Sequence, residues 1–557
     1  MGYKKGLYSI LLLSLVCHAR AQDHAFRFPL DTTPLLSGTF GEFRGNHFHA
    51  GIDIKTYGKT GLPVYATADA YVSRIKISPY GYGKAIYLTH NNGYTSVYGH
   101  LSGFNPELEA YIRKHQYNKK SYSIELFPGK SQFKFRQGEL LAYSGNSGGS
   151  YAPHLHFELR DSRTQEILDP LSFSLPIPDT LPPVLKAIRI VHRNRASKIA
   201  TGSHPQVAEL STINSTEGSV ELPAGDYAII LAAQDFLVAD TSNILGVHQI
   251  MILDEDEPLY QRETDRFAFS DSRYIRLVSD YDEGFPPLEN CFIESWQEHR
   301  MAHYQNDGWI KLSNESPNRQ LRIILRDQYG NETNFYLHLK VNSTIKIEDP
   351  KLESPIGYET ALIYKHEFSF DFLNGKYLID FFKNSFFDTL QVHCRINPGG
   401  CDTVQLLPNK AYVGDRFRIV YTIPSAWKVK NSQICLARKT KDGNEFVGNS
   451  LSGNTVSGYS RHFGDFFITY DSLAPEIGEL EIRGDSIFIH IADDFSGIDR
   501  YVPRIDGRWF LMEYDPKTQV LYGDLSSFKT KDKLEFSLSV KDHSNNSNQY
   551  KTIITRP

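Results

Sequence analysis

At 557 residues, with 40% hydrophobic and 22% charged side chains, the chain has an ordinary soluble composition but is too long for one core. About 150 residues per domain predicts three or four units. A formal charge of −5 over this length excludes nucleic acid as a main partner, and 33 Tyr and 34 Phe against 4 Trp favour strands, so the expected fold class is all-β.

Lys4 and Lys5, the apolar run from Leu7 to Val16 and the small-x-small site Ala19-Arg20-Ala21 read as a signal peptide over residues 1–21. The run is too short to span a bilayer, and bulky Val16 before Cys17 argues against lipid attachment there. No other stretch is long and apolar enough to form a transmembrane helix. The mature chain is expected to be exported to the periplasm, the cell envelope or the extracellular space.

His49-Ala50-Gly51-Ile52-Asp53 then offers an imidazole and a carboxylate four residues apart. Val64-Tyr65-Ala66, Tyr71 to Ile75, Ala85 to Leu88 and Ser96-Val97-Tyr98 read as strands, with Asn91-Asn92-Gly93 as a hairpin turn. His47 is read as a surface residue and His90 as structural. His100, in Tyr98-Gly99-His100-Leu101, ends a strand where its side chain can project over a shared cleft. One helix is predicted from Pro106 to about Gln116, with Leu108 and Ile112 four apart.

In Ser147-Gly148-Gly149-Ser150-Tyr151-Ala152-Pro153-His154-Leu155-His156-Phe157-Glu158, two histidines one residue apart follow a glycine-rich turn. In a strand, residues i and i+2 share a face, so both imidazoles look into one space. Neutral imidazoles with one carboxylate suit Zn²⁺, and three protein ligands around an open fourth position is the catalytic pattern. Glu158 shares that face, either supporting the site or solvated.

Leu175 to Pro183 contains a proline-rich linker at 176–183. Beyond it, alternating strands end in Asp/Asn/Gly turns. Leu321, Ile323 and Leu325 precede Asp327-Gln328-Tyr329-Gly330-Asn331, and Leu534 to Val540 precede Asp542-His543-Ser544-Asn545-Asn546. Ile487, Ile489 and Ile491 precede Asp493-Asp494-Phe495-Ser496-Gly497, and the same design recurs from Tyr227 to Asp235. The recurrence predicts immunoglobulin-like β-sandwich modules, with divisions at 184–348, 349–471 and 472–557. The stretch from 184 to 345 is longer than one sandwich usually needs. Cys394 and Cys401 flank a turn-rich loop that a disulfide could close, while Cys291 and Cys435 either pair or remain buried thiols.

The order H-x-x-x-D, Y-x-H-L, Gly145-Asn146-Ser147-Gly148, H-L-H and Leu168-Asp169-Pro170 resembles the lysostaphin/LytM-type zinc endopeptidases, over roughly residues 35 to 172. The resemblance implies an antiparallel β-sheet peptidase domain at 22–175 that hydrolyses peptide cross-links of bacterial peptidoglycan. It also implies His49, Asp53 and His156 as zinc ligands, with His154 and His100 as catalytic histidines. A neutral imidazole in reach can take the proton of the attacking water, so no glutamate base is required. The stretch between Leu101 and Gly138, with Lys114, Lys119, Lys120, Lys130 and Lys134, is longer than the family's connection. It reads as a groove wall for anionic peptidoglycan or as a surface insertion. Two other functions remain open: a catalytically silent wall scaffold or hydrolase activator, and a secreted protein-cleaving metallopeptidase. The C-terminal modules are candidates to bind the wall or envelope proteins.

Overall fold

The late strand His154–Asp161 is inserted between two early ones, and the first unit is built around it. The antiparallel sheet runs Leu36–Gly38, Ile52–Lys55, His154–Asp161, Tyr94–Gly99, Lys84–His90, Ala70–Ile77 and Ile124–Leu126. This computed structural model describes residues 26–555 apart from 46, 238–242, 281–286, 295–305, 348–356, 364–365, 384, 399–401, 409–412, 426, 428–429 and 529–530. The expected signal peptide lies outside the described residues, as does Cys401 of the expected Cys394–Cys401 bridge. Among the described residues no helix is long and apolar enough to cross a membrane.

Strand periodicity divides the central strand. Leu155, Phe157 and Leu159 are fully buried against Ile52, Ile54, Ile86 and Tyr98, each such side chain contributing about 1.5–3 kcal/mol of hydrophobic stabilisation. The intervening His154, His156 and Glu158 face the opposite side. The expected hairpin forms between Lys84–His90 and Tyr94–Gly99. His90 is buried, its ring nitrogens meeting Asp69 O and Ser96 Oγ, and is structural as read; His47 is exposed.

The helix forms at Pro106–Lys119, three residues longer than expected, because Lys120 takes the left-handed conformation that ends it. Asn105 caps it by accepting the Leu108 N–H, and Leu108, Ile112 and Gln116 are its buried face. The insertion's outer side meets the last unit of the chain. Arg113 pairs with Asp524 at 3.6 Å and Tyr117 packs edge-on against Trp509 at 5.2 Å.

Three two-sheet units follow, with separate cores. The second unit of the chain is centred on Ile188, Leu231, Ile250 and Leu321, the third on Phe381, Phe417, Phe463 and Phe466, and the fourth on Ile487, Phe510 and Phe536. The long stretch from 184 to 345 is one unit because its early strand Glu217–Leu222 pairs in parallel with its late strand Glu332–Val341. Cys291, Cys394 and Cys435 are buried free thiols, so the alternative of a Cys291–Cys435 bridge is not realised. Cys291 lies in the core of the second unit and Cys435 on the strand Ile434–Thr440 of the third.

The second unit clasps the first. Arg266–Phe267 pairs with Ile167–Leu168 and extends the first unit's sheet, while Leu237 and Leu245 join its core. At the far end, the last unit returns to the first: Lys84 Nζ meets Glu513 at 2.8 Å, and Lys517 Nζ donates to the Asn146 and Ser150 carbonyls.

Candidate metal centre

Sheet register assembles the site. His156 lies opposite Asp53 on one neighbouring strand and Gly99 on the other, immediately before His100. Gly51 permits this approach, since a Cβ there would stand 2.2 Å from the Phe157 carbonyl oxygen. Glycine is required at Gly148 too: its φ is +74°, and a Cβ would stand 2.3 Å from Gly81 O.

The structure brings His49, Asp53 and His156 together, all buried. His49 Nε2 is 3.0 Å from Asp53 Oδ1 and 3.1 Å from His156 Nδ1, and His156 Nδ1 is 2.9 Å from Asp53 Oδ1. The other nitrogen of each ring fixes what the triangle presents. His49 Nδ1 donates to Thr39 O at 2.7 Å, so Nε2 carries a lone pair. His156 Nε2 donates to Glu158 Oε1 at 3.0 Å, so Nδ1 carries one too. Two lone pairs and a carboxylate oxygen therefore converge, which is unfavourable unless a proton or cation stands among them.

Without a cation, protonation must relieve this repulsion. Burial opposes charge on His156, but Asp53 and Glu158 outweigh it and push the imidazole up to about 9. Burial keeps His49 below its ordinary value. For Asp53, burial favours the neutral acid, yet His49, His154 and His156 hold the carboxyl well below its usual range. A metal ion removes the conflict without protonating any ligand. Ligands about 2.0–2.1 Å from a tetrahedral Zn²⁺ stand about 3.3–3.4 Å apart, a few tenths of an ångström wider than this triangle. The donor set and spacing fit that ion.

His154 and His100 flank the triangle. His154 Nδ1 donates to Ala152 O at 2.8 Å, leaving Nε2 3.3 Å from Asp53 Oδ1. His100 Nδ1 donates to Ser147 O at 2.8 Å from a backbone at φ +57°, a region that non-glycine residues rarely occupy. The two rings meet edge to face with centroids 4.8 Å apart. Burial, then the charges of His156 and His154, depress His100 to about 3, so the resting ring is neutral near pH 7.

Glu158 is fully buried, which removes the solvated reading. Burial opposes its charge, but Arg160 and His156 outweigh that and hold its carboxyl down at about 2. Glu158→Gln keeps the shape but lowers the basicity that its carboxylate lends to His156. If His156 is a zinc ligand, zinc affinity is expected to fall about tenfold or more, the usual cost of losing a hydrogen-bond partner of a metal-bound histidine. Competition with a chromogenic chelator measures this.

Three contributors escaped the sequence reading. Arg44 pairs with Asp53 Oδ2 at 3.1 Å, securing the carboxylate oxygen outside the triangle. Tyr82 stacks on His156 at 5.0 Å. Arg160 Nε donates to Glu158 Oε2 at 2.7 Å. Arg160 was accessible by extending the i, i+2 argument along the strand, whereas Arg44 and Tyr82 carried no comparable signal.

The loop bearing His49 also depends on the second unit. Thr39, whose carbonyl orients His49, accepts the Gly246 N–H on its hydroxyl at 3.0 Å. Phe40 stacks on Phe267 at 5.0 Å, and Phe48 packs beside both. Phe267→Ala is expected to remove about 3–5 kcal/mol of packing at this seam. The checks are a lower thermal midpoint and faster zinc loss to a chelator.

Residues 47–117 match the family model of Peptidase family M23. The matched segment holds His49, Asp53 and His100 and ends within the helix Pro106–Lys119; the fold brings in His154 and His156 from beyond it. Over 131 residues the chain is 31% identical to the DD-carboxypeptidase/endopeptidase Mpg of Neisseria meningitidis, covering 24% of each protein. Over 115 residues it is 30% identical to the glycyl-glycine endopeptidase ALE-1 of Staphylococcus capitis, covering 20% of this chain and 24% of that one. Over 139 residues it is 28% identical to the peptidoglycan DD-endopeptidase ShyA of Vibrio cholerae, covering 24% of this chain and 26% of that one. The chain thus spans about a quarter of the length of these curated relatives. Its N-terminal part is similar to the lysostaphin/LytM-type peptidases, as its motifs implied.

Proposed function

We propose that this chain is an exported, zinc-dependent endopeptidase that hydrolyses peptide cross-links of bacterial peptidoglycan. The observation carrying the proposal is the convergence of His49 Nε2, Asp53 Oδ1 and His156 Nδ1, with both imidazole lone pairs directed inward by Thr39 and Glu158. The chemistry is assigned to a peptidase domain at 22–175, and the units after the 176–183 linker support or position it.

In this reading His49, Asp53 and His156 are the metal ligands. Zinc held by these residues would supply Lewis acidity toward the scissile carbonyl and toward the attacking water. His154 is the general base: its Nδ1 is committed to Ala152 O, so Nε2 is the atom that takes the proton. His100 Nδ1 donates to Ser147 O, so Nε2 of the resting ring carries a lone pair; it stabilises the oxyanion or protonates the leaving amine only once Nε2 has taken up a proton during turnover. Its carbonyl partner fixes the ring's direction before substrate arrives.

The last unit lies against the glycine-rich loop beside the site. A cavity of about 690 Å³ lies between Asn146-Ser147-Gly148 of the first unit and Glu513, Tyr514 and Tyr522 of the last. The Lys517 contacts hold the same glycine-rich loop that anchors His100. This favours a peptidase acting on a thin, mobile peptide over one acting on folded proteins. The test is incubation of the mature, zinc-loaded protein with purified peptidoglycan, followed by mass analysis of released fragments. New amine termini within stem peptides or bridges are expected. Full zinc occupancy with no release from any wall type would overturn the enzymatic reading in favour of a scaffold or activator.

A further inference from the structure

Two clusters of three aspartates lie away from the zinc centre, at the entrances of the second and fourth units. In one, Asp179, Asp235 and Asp327 each present a carboxylate oxygen within 4.8 Å of the others; in the second, Asp471, Asp493 and Asp542 do the same. The clusters share a plan. Asp179-Thr180-Leu181-Pro182-Pro183 and Asp471-Ser472-Leu473-Ala474-Pro475 lead into their units, and in each the first aspartate accepts the N–H of the leucine two residues on. Asp235 and Asp493 each directly follow a strand, Gly225–Gln234 and Ser486–Ala492. Asp327 and Asp542 each accept the backbone N–H and side-chain amide of an asparagine four residues later, Asn331 and Asn546.

Unpartnered oxygens distinguish these clusters from self-satisfied turns. Asp235 is 3% exposed and Asp471 4% exposed, yet Asp235 Oδ1 and Asp471 Oδ2 have no hydrogen-bond partner among the described residues. Asp493 Oδ1 is likewise unsatisfied. Each buried unsatisfied carboxylate oxygen is costly, and like charges this close cannot all ionise without a counter-charge. Burial, and then the charges of Asp179 and Asp327, push the Asp235 carboxyl up to about 8.

We propose that the chain binds two calcium ions, one through Asp179, Asp235 and Asp327 and one through Asp471, Asp493 and Asp542. The donors are all hard oxygens, which disfavours zinc and leaves calcium or magnesium. Ca²⁺ takes oxygens at about 2.3–2.6 Å in flexible geometry, so ligands across the ion stand about 4.6–5.2 Å apart. Mg²⁺ dehydrates reluctantly and is seldom held by a cage of protein oxygens alone, so calcium is the ion favoured here. Asp179 lies in the proline-rich segment entering the second unit, and Asp471 directly follows Gly464–Tyr470, the last strand of the third. Each ion would therefore bolt a unit to the segment entering it. The second ion would fix the base of the unit whose Lys517 reaches the catalytic loop.

The test uses the full-length mature protein, stripped with a calcium-selective chelator and titrated with CaCl₂ by calorimetry and equilibrium dialysis. Two calcium ions per chain are expected, with a dissociation constant on the order of 0.1–1 mM, typical of extracellular modules. Asp235→Asn and Asp471→Asn should each bind one ion, the double variant none, and all should keep the wild-type zinc content. Terbium provides a readout on the wild type alone. Tyr329, on the loop of Asp327, should sensitise its luminescence, and calcium should quench the signal more than tenfold better than magnesium. Absence of calcium binding to the wild type at 10 mM, or two ions retained by either single variant, would overturn the proposal. None of these outcomes bears on the zinc centre, whose failure would appear only in zinc content and peptidoglycan cleavage.

Discussion

His156→Ala is expected to leave the protein with well under one zinc per chain and with turnover below detection. The substitution removes a vertex of the triangle and the only ligand that bridges it to Glu158. The donor left on the same face of that strand, His154, lies outside the triangle with Nδ1 committed to Ala152 O, so it is a poor replacement for His156. Two donors hold zinc far more weakly than the three of a catalytic site. The fold should survive, since Glu158 keeps Arg160 and the opposite face of the strand is untouched. His47→Ala is the control: His47 is exposed and outside the triangle, so zinc and turnover should persist. Metal analysis of both variants beside the wild type decides the matter. Stoichiometric zinc in His156→Ala would refute the ligand assignment.

The first unit was legible from sequence to the degree that its signals were local. Strand alternation, the Asn91-Asn92-Gly93 hairpin and the Pro106 helix start are set by neighbours in the chain, and each formed where expected. The i, i+2 spacing of His154 and His156 anticipated two imidazoles on one face, because strand geometry fixes it. Non-local features did not announce themselves. Nothing near Arg266–Phe267 signals that it completes a sheet begun more than 200 residues earlier. The buttressing of His49 through Thr39 and Gly246 depends on that long-range contact. The Lys-rich insertion read equally as a groove wall or a surface insertion, and nothing local signalled that its helix carries Arg113 and Tyr117 against the last unit. The repeated Asp turns were visible as turn signals. Only the fold shows that distant ones converge in threes.

Replacing either flanking histidine should separate chemistry from metal binding. In His154→Ala and His100→Ala, zinc content and thermal midpoint should stay close to wild type, because neither ring is a vertex of the triangle. Turnover should fall about 10² to 10⁴-fold, the usual contribution of a positioned acid–base group. The two variants should nevertheless differ. His154 Nε2 is nearest the cluster, at 3.3 Å from Asp53 Oδ1, so its loss removes the proton acceptor for water. A small exogenous base such as imidazole should partly restore His154→Ala by entering the space left by the ring. His100 is held by Ser147 O, and its contribution is a directed Nε2 that carries a proton at the stage when charge develops beside it. Added base cannot reproduce that direction, so His100→Ala should resist rescue. Zinc content and cross-link cleavage must be measured on the same preparations, since slow metal loss would imitate a catalytic defect. Wild-type cleavage by both variants would eliminate the two-histidine mechanism, while rescue of His100→Ala alone would exchange the roles assigned to the two rings.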